Sequence, residues 1–98
     1  MAKAEKILDV RNVFDDGSFL IIRVWRVVDP VPPSPHRFKY SFYYGRAGKR
    51  LVLFDNERGK GDHKHIGQVE SGYVFQSIEK LTADFMAEVR RIRSEGEQ

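Results

Sequence analysis

With 98 residues, 41% hydrophobic and 32% charged, the chain has the size and balance of one soluble domain, residues 1–98, and is too short for two separate cores. It contains no cysteine, which excludes a disulfide scaffold, a thiolate metal site and a cysteine nucleophile. Lysine and arginine exceed aspartate and glutamate by 17 to 14, and the resulting net charge of +3 favours an anionic partner without requiring one.

No apolar run approaches the roughly 18 residues of a membrane span. The charged N-terminal residues lead into no signal-peptide core. A cytoplasmic location without membrane contact is therefore expected.

Residues 4–14 mix apolar and charged positions and are read as a first strand. Asp15-Asp16-Gly17-Ser18 is a hairpin turn signal, and residues 19–28, β-branched and aromatic, form a central strand interrupted only by Arg23 and Arg26. All four prolines fall in residues 29–36, which can be neither helix nor sheet interior. His36 in that loop reads as a surface residue. In residues 37–44, Phe38, Tyr40, Phe42 and Tyr44 alternate with Arg37, Lys39, Ser41 and Tyr43, so the first set should face the core. Trp25 and the core-facing aromatics have the chemistry of a base-stacking platform, but core packing is the expected role, and Tyr43 is the one aromatic kept as a ligand contact. Residues 45–49 turn the chain into a fourth strand over 50–55, and the short run 73–75 is a further edge strand.

From Ser77 the period changes. Ile78, Leu81, Phe85, Val89 and Ile92 mark one face of an amphipathic helix, with Ser77 as its N-cap, arginines in its last turns and fraying from Ser94 onward. The fold class is α+β: an antiparallel meander of four to five strands covered by one C-terminal helix. An open edge strand in so small a sheet invites pairing with a second copy.

Residues 55–65, Asp55-Asn56-Glu57-Arg58-Gly59-Lys60-Gly61-Asp62-His63-Lys64-His65, read as a glycine-rich charged loop and hold the densest set of reactive side chains. In an extended stretch His63 and His65 project to one side at roughly 7 Å while Lys64 projects to the other. Such a pair of imidazoles can serve as general base and general acid on a phosphodiester, with Arg58, Lys60 and Lys64 holding its charge. His-x-His with Asp55 or Asp62 can instead bind a divalent metal, and the same residues are also ordinary solvated turn residues.

Asp15-Gly17-Ser18-Phe19, then Pro35-His36-Arg37-Phe38-Lys39-Tyr40, then Phe54-Asp55-Asn56 leading to His63-Lys64-His65 resemble the TumE-type toxins of toxin–antitoxin systems. The resemblance runs from about Asp15 to the C-terminal helix. Family members often carry a further proline and histidine after the Asp-Asn, where this chain has Glu57-Arg58-Gly59-Lys60. The resemblance implies a small toxin held by a cognate antitoxin, usually a helix-turn-helix protein, and an RNase activity like that of other compact toxins, with RNA as substrate and no metal or other cofactor. On that reading His63, His65 and Lys64 are catalytic, Asp55 and Asn56 orient them, and Arg58, Lys60, Arg37, Lys39 and Tyr43 bind substrate. The rival readings are a non-catalytic nucleic-acid- or protein-binding module and a metal-dependent hydrolase.

Overall fold

A computed structural model gives the fold and describes residues 4–96. It is an α+β fold: six antiparallel strands in meander order and one helix. The strands are β1 (Ala4–Val13), β2 (Phe19–Val27), β3 (Phe38–Arg46), β4 (Lys49–Glu57), β5 (Gly61–Ile66) and β6 (Val69–Gly72), and the helix α1 spans Ile78–Gly96. Among the described residues no helix is long and apolar enough to cross a membrane.

Each connection follows from turn chemistry. Phe14 N–H donates to Ser18 O (2.8 Å) and Gly17 N–H to Phe14 O (3.0 Å), closing the β1–β2 hairpin at the Asp-Gly signal. Ala47 and Gly48 both have positive φ, 52° and 74°, the pattern of the two-residue turn whose twist matches its strands. At the N-terminus of α1 the Ser77 hydroxyl accepts the Lys80 N–H at 3.0 Å, as predicted for an N-cap.

One face of the sheet carries the core. Leu20, Ile22 and Val24 of β2, Tyr40, Phe42 and Tyr44 of β3, and Val52 and Phe54 of β4 pack against Leu81, Phe85 and Val89 of α1, and all are buried. The alternation predicted for the third strand holds, as does the apolar face of the helix. The helix runs to Gly96, past the Ser94 from which fraying is expected; Glu97 and Gln98 lie outside the described residues.

Four expectations are corrected. Among the described residues the strands number six, not four to five. The charged stretch 55–65 is a hairpin rather than a loop, because Asp55, Asn56 and Glu57 extend β4 and pair with His63, Asp62 and Gly61 of β5. Only Arg58, Gly59 and Lys60 turn, with Lys60 N–H donating to Glu57 O at 3.0 Å. The final strand is Val69–Gly72 rather than 73–75: Gly67, at φ 60°, closes the turn before it, and Tyr73 and Phe75 leave the sheet to pack on the core. Finally, Trp25 alternates with Val24 and lies on the sheet face away from α1, half-buried and outside the core cluster.

Candidate active site

The face opposite the helix is open, and strand register lays its side chains in rows. In the middle row Asp9, Arg23, Ser41, Asp55, His63 and Gly72 are successive cross-strand partners. The neighbouring row runs Arg11, Ile21, Tyr43, Leu53, His65 and Glu70. On the other side Lys6, Trp25 and Lys39 are partners. Residues distant in sequence are thus placed side by side by pairing alone.

The centre is the Asp55–His63 pair. His63 is 4% exposed and Asp55 9%. His63 Nδ1 lies 2.9 Å from the Gly61 carbonyl, which only accepts, so Nδ1 carries the hydrogen. In a neutral imidazole Nε2 is then a lone pair, and it lies 2.7 Å from Asp55 Oδ1. Both atoms are buried and neither makes a well-aligned hydrogen bond to another group. Two lone pairs at that separation repel unless one proton sits between them, so the pair is a socket for a proton. Burial pushes the Asp55 carboxyl above its ordinary range, and the positive charge of His63 and Lys39 works against that rise.

His65 sits beside it, its ring centroid 5.2 Å from that of His63 and nearly perpendicular, with Nδ1 3.8 Å from Glu70 Oε2. Glu57 Oε1 lies 4.0 Å from His63 Nε2, and its side chain is 50% exposed. Lys39 reaches along the face to donate to the Asn56 carbonyl, next to Asp55.

The structure therefore brings His63, His65, Asp55 and Lys39 together, with Tyr43 in the His65 row. Lys64 points to the helix side, its ammonium 6.0 Å from the Phe54 ring centroid. Asn56 also turns inward: fully buried, it donates to Phe38 O (2.7 Å) and accepts the Tyr40 N–H (3.0 Å), so its side chain extends the β3–β4 pairing. Arg58 lies at the exposed hairpin tip, Lys60 pairs with Glu70 at 3.4 Å, and Arg37 is exposed just before β3. Glu57, Glu70, Arg23 and Ser41 join the site's surroundings without having been singled out in sequence. Their signal is register, which appears only once β4 and β5 are recognised as a hairpin.

Among the described residues, two sets of donors have their ligand atoms within 4.8 Å of one another: His63, His65 and Glu70, and Asp55, Glu57 and His63. Imidazole and carboxylate suit a divalent transition metal. Lys60 already neutralises Glu70, and Lys39 lies beside Asp55.

A second polar cluster lies on the helix side of the same hairpin. Asp62 accepts hydrogen bonds from Ser34 Oγ, from His36 Nε2 at 2.7 Å and from Tyr40 OH at 3.1 Å. The Phe38 N–H occupies His36 Nδ1 (3.2 Å), which places the ring hydrogen on Nε2. His36 also stacks on Phe75 at 3.9 Å, so it is a largely covered strut and not the surface residue read from sequence. With Gly59 N–H donating to Pro32 O at 2.8 Å, this cluster clamps the proline loop to β5 and forms one wall of a cleft of about 510 Å³.

The family described as toxin TumE matches residues 2–93, nearly the whole chain. The chain belongs to the toxin TumE family. Membership supports a role as the toxin of a toxin–antitoxin system and implies a cognate antitoxin. Comparison with curated proteins and with solved structures finds no match. Within this TumE family member the Asp-Asn and His-Lys-His segments that carried the resemblance are the two strands of one hairpin, and Asp55 and His63 are opposite each other in it.

Proposed function

We propose that this toxin is a metal-independent ribonuclease whose chemistry is carried by Asp55, His63 and His65. The observation that carries this reading is the 2.7 Å contact between Asp55 Oδ1 and His63 Nε2, with a second imidazole on the same sheet face, ring centroids 5.2 Å apart. Without a metal to activate water, the nearest nucleophile to a phosphodiester is its own ribose 2′-hydroxyl, which needs no separate encounter. His65, the more exposed imidazole, takes the 2′-hydroxyl proton as O2′ attacks phosphorus. His63 gives the proton it shares with Asp55 to the departing O5′. The products are a 2′,3′-cyclic phosphate and a 5′-hydroxyl, and proton balance is restored when His65 returns its proton to solvent and the pair regains one. Lys39, beside Asp55, offsets the charge that builds on phosphorus.

The test is expression of wild type beside His63→Ala and His65→Ala, scored for growth arrest and integrity of total RNA, with circular dichroism to confirm folding. Arrest and RNA loss by wild type alone support the reading; unchanged toxicity in both folded variants removes it.

The two donor sets favour one second reading, a metal-dependent hydrolase in which His63 Nε2 and Asp55 Oδ1, both without another partner, ligate the ion. It predicts activity lost to chelator and restored by manganese or zinc.

A further inference from the structure

We propose that the open face over β1–β3 is a track for single-stranded RNA, along which bases stack on Trp25 and Tyr43 while Lys6, Arg11, Arg23 and Lys39 hold phosphates. This rests on the ribonuclease reading and names the form of substrate that the site takes.

The first support is charge. On this part of the face the cations Lys6, Arg11, Arg23 and Lys39 meet a single carboxylate, Asp9. Asp9 pairs with Lys6 at 3.0 Å and with Arg23 at 3.5 Å, leaving the face with an excess of positive charge. The acids Asp55, Glu57 and Glu70 gather instead at the histidines. The face is therefore polarised, with a cationic half leading to the proton-transfer groups, and a polyanion fits the first half.

The second support is the interleaving of aromatic and basic groups. Trp25 lies directly between Lys6 and Lys39 on neighbouring strands, close enough for their chains to flank the indole. Phe19 and Tyr43 form a second plate, centroids 5.7 Å apart, with the Arg11 guanidinium 5.8 Å from the Phe19 centroid. Arg23 stands in the row between the two plates. Along the strand the plates are about 13 Å apart, and an extended single strand can span them with its bases on the aromatics. A duplex hides its base faces and gains nothing from the plates.

The probe is a fluorescein-labelled, fully 2′-O-methylated RNA 12-mer, which lacks the free 2′-hydroxyl and so reports binding without cleavage, read by fluorescence anisotropy with the full-length chain. Trp25→Ala and Tyr43→Ala should each weaken binding about 10-fold, in the range of one lost stacking contact. Arg23→Glu, at an exposed position that cannot compromise the core, should weaken it at least as much and lower the salt dependence. Arg90→Gln, on the helix side, should stay within twofold of wild type, and the same sequence as a duplex should bind at least 10-fold more weakly. Circular dichroism checks each fold.

Folded Trp25→Ala, Tyr43→Ala and Arg23→Glu proteins that bind within twofold of wild type overturn the proposal, as does equal binding of the duplex or no binding of either probe. So does loss of antitoxin binding by these variants with RNA binding intact, which would make the face a protein interface. The two readings fail separately. Cleavage that needs His63 and His65 but ignores Trp25 and Arg23 removes the track alone, while probe binding lost in the face variants, with cleavage indifferent to the histidines, removes the catalytic assignment alone.

Discussion

Asp55 and His63, eight positions apart in sequence, are direct partners across the β4–β5 hairpin, with Oδ1 2.7 Å from Nε2. The Gly61 carbonyl holds the other ring nitrogen, so the imidazole cannot turn its hydrogen toward the carboxylate without giving up that contact. The pair must import a proton. A buried site with this demand is costly for stability and useful for proton transfer.

The pH dependence follows from that cost. Burial raises the Asp55 carboxyl above its ordinary 3.8. The folded chain then binds this proton more tightly than the unfolded chain, so its stabilising contribution is complete below the ordinary value and is lost as pH rises through the raised one. Asp55→Asn has no carboxyl to titrate, so it should lose less stability than wild type as pH rises from 4 through the raised Asp55 value. The same variant should lose activity, since an amide cannot share a proton with the imidazole. Thermal melts across pH check the first outcome; an equal fall in stability with rising pH in both proteins would contradict it.

Lys39 and Lys64 separate the two faces of the hairpin. Lys39 lies with Asp55 on the open face, and Lys64 lies over Phe54 on the helix side. Lys39→Ala should reduce RNA cleavage about 10-fold or more through lost charge stabilisation. Lys64→Ala should leave it within about twofold, because its charge lies behind the sheet. Rates for the two purified variants decide this.

Removing Asp62 should act on stability rather than chemistry. It satisfies Ser34, His36 and Tyr40 at once, and burial together with the Asp62 charge pushes the Tyr40 phenol well above its ordinary range, so it stays a donor. Asp62→Ala strands these buried donors and should cost about 2–4 kcal/mol. Denaturant unfolding measures it, and the fraction that stays folded should cleave at close to the wild-type rate.

Chelation distinguishes the proton from a metal at the same donors. Activity should survive dialysis against EDTA and should not rise on adding manganese or zinc. Loss and metal-specific recovery would shift the account to the hydrolase reading.

Much of this was legible in the sequence because it follows period. The alternation of Phe38, Tyr40, Phe42 and Tyr44 and the helical spacing of Leu81, Phe85 and Val89 each specify a buried face, and the structure buries them. The β4–β5 hairpin was not legible. Next to its turn the strands carry Asp55, Asn56, Glu57, Asp62, His63 and His65, which show no apolar alternation, and Gly59 within the turn and Gly61 just after it suggested an open loop. Trp25 was misplaced for a related reason: in a continuous apolar strand, period alone does not say which face the helix covers. His36 gave no signal because its partner, Asp62, is 26 residues away.

The most direct test of the central claim uses a short RNA and a copy with one 2′-deoxy residue at the mapped cut site, each incubated with wild type and with His65→Ala. The account predicts that wild type cleaves only the all-ribose strand, leaving a 2′,3′-cyclic phosphate, and that His65→Ala slows this by at least about 100-fold. Cleavage of the 2′-deoxy strand at an undiminished rate, or full activity in folded His65→Ala, would contradict it.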